Sequence, residues 1–148
     1  MSRKSQPPDD IASTPPQPPT GVTVHRDLPY VSAGHERQKL DLYLPESGSF
    51  DPDGALPLII WIHGGAFRMG SKEGTEDNPP PFAFVLEGYA VASINYRLSQ
   101  HAIFPAQIED CKAAVRWLRT HAGSYNLDPE RFAAWGPSAG GHLVAMLG

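Results

Sequence analysis

With 148 residues, a formal net charge of −4 and a pI near 5.8, the chain has the length of one domain and no basic stripe to displace counterions from phosphates, which excludes an electrostatic nucleic-acid binder. Its single cysteine, Cys111, rules out an internal disulfide and leaves the redox compartment open. Arg3 and Lys4 have no apolar stretch behind them, so neither a signal peptide nor a membrane span is read and a cytoplasmic location is expected.

In chain order, residues 1–20 hold six prolines and almost no large apolar side chains, the composition of a disordered, solvated tail. Residues 21–148 are left to form the core. Val22–His25 and Lys39–Leu44 alternate apolar and polar side chains around a turn at Ser32–His35, predicting two antiparallel strands near a sheet edge. Leu58–Ile62 is continuously apolar and predicts a strand covered on both faces. Pro81–Glu87, closed by Gly88, reads as a short helix, and Tyr89–Ile94 as another buried strand.

Pro105–Ala122 carries a full set of helix signals. Pro105 stands at its start, Glu109 and Asp110 lie in its early turns, Arg116, Arg119 and His121 come late, and Gly123 follows. Ile108, Cys111, Val115 and Leu118 recur at helical spacing and are expected to face the sheet. Asp128-Pro129-Glu130 is expected to break the chain before a strand Arg131–Trp135, and a buried helix follows from Ala139. Strands alternating with helices indicate an α/β fold with a mainly parallel sheet and helices on both faces.

Two motifs carry chemistry. Gly136-Pro137-Ser138-Ala139-Gly140-Gly141, with a strand before it and a helix after it, fits a nucleophile elbow, in which a serine at positive φ presents its hydroxyl at the apex of a tight turn. The glycines two residues to either side have no Cβ to collide, and the Ala139 amide is left unpaired at a helix N-terminus, where an oxyanion is stabilised. Upstream, the buried strand runs into His63-Gly64-Gly65-Ala66-Phe67, a loop suited to donate the Gly65 and Ala66 amides to the same oxyanion. The ordered pair of motifs is far more specific than either pattern alone.

On Gln38–Pro45, His63–Lys72, Asn95–Leu98, Phe104–Asp110 and Gly136–Leu143 the chain resembles the α/β-hydrolases. Within them it is similar to the bacterial feruloyl/acetylxylan-esterase-like (BD-FAE-like) group and, more distantly, to hormone-sensitive-lipase-like carboxylesterases. The resemblance implies a serine hydrolase of carboxylic esters, with Ser138 as nucleophile and Gly65, Ala66 and Ala139 holding the oxyanion. It implies no cofactor and no metal, and a small-molecule or carbohydrate-linked ester as partner, with neither nucleic acid nor membrane; it sets no oligomeric state. Arylformamidase or peptidase chemistry on the same fold, and a non-catalytic binding protein, remain as alternatives. Pro137 stands where this group more often has a small or polar residue.

The acid and histidine of such a triad follow the serine in this fold, so the chain is expected to be the N-terminal part of a hydrolase domain, ending after the nucleophile helix and inactive by itself. Among the histidines present, His63 is expected to order its loop, and His142, one helical turn after Ser138, to serve packing or a local hydrogen bond rather than as base. Gly65–Lys72 nearly fits a phosphate-binding loop, but Ser71-Lys72 reverses the required order and no helix signal follows, so an NTPase is rejected.

Overall fold

The computed structural model describes residues 14–46 and 54–148. Of the expected tail, residues 1–13 lie outside the described residues, and residues 14–19 carry neither helix nor strand. The apolar run Leu58–Ile62 becomes the core of a strand, β3 (Leu56–Ile62), where burial on both faces puts the backbone out of reach of water and obliges it to pair on both sides. It pairs in parallel with β4 (Ala90–Ile94) and with β5 (Leu127–Trp135), placing Ile59 opposite Val91 on one side and Ala133 on the other. The remaining strands, β1 (Val22–Pro29) and β2 (Lys39–Pro45), are antiparallel to each other, and β2 is antiparallel to β4. The sheet is therefore mixed, in the order β1-β2-β4-β3-β5, with β2 alone running against the rest.

Alternation along the strands divides the core in two. Leu40, Leu42, Leu58, Ile60, Ile62, Ala92 and Ile94 point to one face, against Ile108, Cys111, Ala114 and Leu118 of α1 (Ala106–Thr120) and Leu143 of α2 (Ala139–Leu147). Tyr43, Ile59 and Val91 point to the other, beneath a 3-10 helix, Phe82–Glu87, that contributes Val85, Phe82 and Phe84 and ends on left-handed Gly88 at φ 97°. Helical structure thus covers both faces, with α-helices on one and a 3-10 turn on the other. No helix among the described residues is long and apolar enough to cross a membrane.

Three expectations need correction. First, β2 is near the sheet edge, as expected, but not half-solvated: it lies between β1, the edge strand, and β4, with Leu40, Asp41, Leu42 and Tyr43 all buried. Its polar alternate, Asp41, is 0 % exposed because it faces Lys72, itself 3 % exposed, at 2.9 Å. Second, Asp128-Pro129-Glu130 does not break the chain before β5 but lies within it. Asp128 accepts the Glu130 N–H at 3.0 Å and pairs with Arg131 at 2.7 Å, carrying the strand past a residue that cannot donate, at a shift of register against β3. Third, α1 stops at Thr120, and Ala122–Tyr125 tightens into a separate 3-10 turn capped by left-handed Asn126.

Lys72 ties the far side of the sheet together. Its ammonium lies 2.9 Å from Asp27, 2.9 Å from Asp41 and 2.7 Å from Glu73. Asp27 reaches it from an irregularity in the β1–β2 pairing, where Asp27 takes φ 54° and its own N–H bonds Asp41 at 2.8 Å. Burial alone would depress the ammonium's pKa, but the three carboxylates together hold it above its ordinary value. Replacing Lys72 by Met should leave the buried Asp41 carboxylate with only the half-exposed Arg26 guanidinium at 3.3 Å and the Asp27 N–H, and cost about 3 kcal/mol of stability. Urea unfolding of the complete protein measures this, and a midpoint unchanged from wild type would refute it.

Candidate active site

β5 ends at Trp135 and the chain turns through Gly136-Pro137-Ser138 straight into α2. Ser138 takes φ 51°, ψ −119°, outside the regular helix and strand regions, and is exposed at the apex. Gly140 donates to the Pro137 carbonyl at 2.9 Å and His142 to the Ser138 carbonyl at 3.1 Å, which fixes the first turn of α2 beneath the hydroxyl. Pro137 is accommodated because its carbonyl, not its missing N–H, closes that turn. The two elbow glycines are required by a closer obstacle than each other. A Cβ on either Gly136 or Gly140 would strike the carbonyl oxygen of Ile62 at the end of β3, and a Cβ on Gly136 would also lie 3.0 Å from the Gly140 carbonyl carbon.

The same strand end leads into the second motif, which meets the elbow directly. A Cβ on Gly64 would lie 2.9 Å from the Pro137 carbonyl and 3.4 Å from Ser138 Cβ. Gly65, Ala66 and Phe67 then take positive φ in succession, 126°, 54° and 61°, and the loop turns back as Arg68 and Met69 donate to the Gly65 carbonyl at 3.0 and 3.1 Å. Left-handed backbone at Ala66 and Phe67 costs each about 1 kcal/mol or more and persists only where the surroundings over-determine it. The amides of Gly65, Ala66 and Ala139 donate to no protein acceptor among the described residues. The structure thus brings the loop that carries Gly65 and Ala66 against the elbow that carries Ser138 and Ala139, some seventy residues on in sequence, with Gly64 at the contact.

His63 underlies this loop. It is 2 % exposed and stacks on Tyr96 with centroids 4.5 Å apart and rings 9° from parallel. Its Nδ1–H donates to the Gly64 carbonyl at 2.7 Å, which makes Nε2 the acceptor for Arg37 at 3.2 Å, and the Tyr96 hydroxyl donates to the His63 carbonyl at 3.0 Å. Burial pushes the imidazole down to about 4, against the raising effect of the Gly64 carbonyl and with some help from the Arg37 charge. His63 is therefore neutral in the physiological range and both ring nitrogens are engaged.

The other histidines leave Ser138 without a base among the described residues. His142 is exposed and sets its ring edge-on to Phe67 at 6.0 Å. His121 stacks on Trp117, His25 meets Tyr125, and His35 and His101 face one another at 4.7 Å. Asp110 accepts a bidentate bond from Arg97 and another from Gln38, so it ties α1 to the segment after β4; burial pushes the Cys111 thiol up to about 12. Lys72, the lysine of the rejected phosphate loop, is spent on carboxylates. A largely apolar cavity of about 200 Å³ opens beside the elbow, lined by Phe67, Phe104, His142, Leu143 and Met146.

Sequence reasoning gave no role to Arg37, Asn95 or Tyr96, although Asn95-Tyr96 lay within the recognised pattern. Periodicity carries no sign that a polar residue on one connection will meet a carbonyl on another.

Comparison with known proteins shows the family and the fold. The BD-FAE family model matches residues 40–148. The chain is 32% identical over 135 residues to the probable carboxylic ester hydrolase LipM of Mycobacterium tuberculosis, covering 88% of this chain and 31% of that one. An arylesterase of Saccharolobus solfataricus is 40% identical over 88 residues, covering 60% of this chain and 28% of its own. Among solved structures, a truncated carbohydrate esterase from gut microbiota superposes with a TM-score of 0.74 at 37% identity, over 88% of this chain and 45% of that one. The chain spans about a third of the length of the curated relatives it matches.

The neutral His63 has a measurable consequence. With a folded pKa of about 4 against an unfolded value near 6.5, the unfolded chain takes up a proton in that window that the folded chain refuses. Its contribution is fully present above pH 6.5 and falls as pH drops, reaching a loss of about 3 kcal/mol by pH 4. Urea midpoints of wild type and His63→Gln, followed from neutral to acid, should converge through this window; parallel curves would refute the assignment.

Proposed function

We propose, from the premise that this chain belongs to the BD-FAE family and has the α/β-hydrolase fold, that the complete protein hydrolyses carboxylic esters with Ser138 as nucleophile. The observation that carries the reading is the exposed Ser138 hydroxyl at φ 51° touching a loop whose Gly65 and Ala66 amides, like that of Ala139, are without acceptors. Residues 21–148 are then the N-terminal part of the hydrolase domain.

In this reading Ser138 Oγ attacks the ester carbonyl carbon as its proton passes to a histidine, and the carbonyl π pair moves onto oxygen. The three amides receive that oxyanion; being fixed beforehand, they need no reorganisation as charge develops, and each donor is worth roughly 3 kcal/mol of barrier. Collapse expels the alcohol, which takes the proton, and water then repeats the sequence on the acyl-enzyme with Ser138 as leaving group. No histidine among the described residues bonds the Ser138 hydroxyl, so we assign the base and its orienting carboxylate to residues outside these 148, in keeping with the share of its relatives that the chain spans. Esters of small acyl groups, carbohydrate-linked ones included, suit the open site and the 200 Å³ cavity beside it.

Steady-state hydrolysis of p-nitrophenyl acetate by the complete protein tests the assignment. Ser138→Ala should lower kcat by about a millionfold, and a variant retaining more than about a tenth of wild-type turnover would overturn it.

A further inference from the structure

A loop with three successive left-handed residues has no ladder to hold it and depends on contacts along its length and at its ends; here Ser99 donates to the Phe67 carbonyl at 2.7 Å and Gln100 to that of Arg68 at 3.0 Å. Gly64–Met69 is such a loop, and one side chain from a distant connection grips both of its ends. Arg37 lies between β1 and β2. Its guanidinium donates through Nη2 to the Gly70 carbonyl at 2.9 Å, at the loop's exit, and to His63 Nε2 at 3.2 Å, at its entrance. Through Nε it donates to the Tyr96 carbonyl at 2.8 Å, and Asn95 Oδ1 stands at 3.5 Å. Asn95 Oδ1 in turn accepts the Lys72 N–H at 2.7 Å, so the same group of atoms continues into the chain beyond the loop.

Arg37 is itself held. Its N–H donates to His35 Nδ1 at 3.1 Å, and the next residue, Gln38, bonds the His35 N–H at 2.7 Å and Asp110 on α1 at 2.8 Å. All four groups at the guanidinium are neutral: two carbonyls, one amide oxygen and one imidazole. Among the described residues no carboxylate forms a salt bridge with it. A planar fork distributed over neutral acceptors sets geometry rather than neutralising charge, and a lysine, with one compact ammonium, cannot span the same points.

We infer that Arg37 is a positioning residue for catalysis, a clamp that closes the loop carrying Gly65 and Ala66 and so aims their amides at the oxyanion. The inference rests on the reading of that loop under the proposed function. Removing the clamp leaves the loop's covalent path intact but frees Gly70 from His63, and the amides must then reorganise as charge develops. The loss falls on the transition state more than on substrate binding.

The test uses the complete protein with p-nitrophenyl acetate. Arg37→Ala should lower kcat by about 100-fold, the effect of losing one preorganised donor, with KM changed by less than about threefold. Arg37→Lys should recover little of this. Guanidinium ion added below denaturing concentration should restore part of kcat to Arg37→Ala, and ethylammonium should not, because only the planar fork reaches both ends of the loop. Phosphonylation of Ser138 by a p-nitrophenyl phosphonate ester, in which the Oγ–P bond forms as p-nitrophenolate leaves and the phosphonyl oxygen uses the same amides, should slow in proportion to kcat. If Arg37→Ala does not fold by circular dichroism, Arg37→Gln carries the same expectation.

Wild-type kcat in Arg37→Ala, or a loss confined to KM or to thermal stability, overturns the inference while leaving Ser138 as nucleophile. Equal rescue by both cations overturns it too. Absence of Ser138-dependent turnover in the wild type overturns the inference and the proposed function together.

Discussion

The site depends on how closely two glycines approach one carbonyl. Gly136 and Gly140 both press on Ile62 O at the end of β3, and no residue with a side chain fits at either position. This contact sets α2 against the central strand, and Ser138 at φ 51° bridges the short span between the two glycines. Because the chain leaving Ile62 continues into His63-Gly64, the contact that shapes the elbow also brings the second loop to it, with Gly64 against Pro137 and Ser138. Burial on both faces fixes where β3 ends, and with it the position of every group proposed to act.

Irregular backbone beside a sheet needs donors and acceptors that regular structure does not supply. Here they come from side chains on neighbouring strands and just beyond their ends. Tyr30 and Tyr96 donate their hydroxyls to the Asn95 and His63 carbonyls at 2.6 and 3.0 Å, and Ser93 bonds the Lys72 carbonyl at 2.6 Å. Among the described residues no buried side-chain nitrogen or oxygen lacks a partner. A network satisfied to this degree has few alternative arrangements, and the left-handed residues Ala66 and Phe67 are sustained within it. Rigidity of this kind is what a preorganised anion site requires, since amides that must first turn toward a developing charge forfeit much of their effect.

Charge is distributed to the same end. The ion cluster of Lys72 with Asp27, Asp41 and Glu73 lies beyond the loop and anchors its exit to β1 and β2. The pair of Arg97 and Asp110 anchors α1 to the segment after β4. Between them His63, kept neutral by burial, and Arg37, hydrogen-bonded to neutral acceptors, support the loop.

Short-range pattern was enough to locate the elements and the two motifs. The apolar run of β3, Pro105 before α1, and glycines spaced around Ser138 each report a local constraint: burial on two faces, a φ already suited to a helix start, a turn with no room for Cβ. The sequence therefore determined the fold class, the order of strands and helices along the chain, and Ser138, Gly65, Ala66 and Ala139 as candidates. It underestimated the burial of β2 because Asp41 looks like a solvent-facing alternate until Lys72, thirty-one residues on, is beside it. It gave Arg37 no part because the carbonyls and imidazole it grips lie on three other segments, and nothing in its neighbours along the chain distinguishes it from a surface arginine. Only the tertiary structure decided the strand order in the sheet, which polar residues are buried, and what holds the loop, because these follow from contacts between residues far apart in the chain, which local periodicity does not encode.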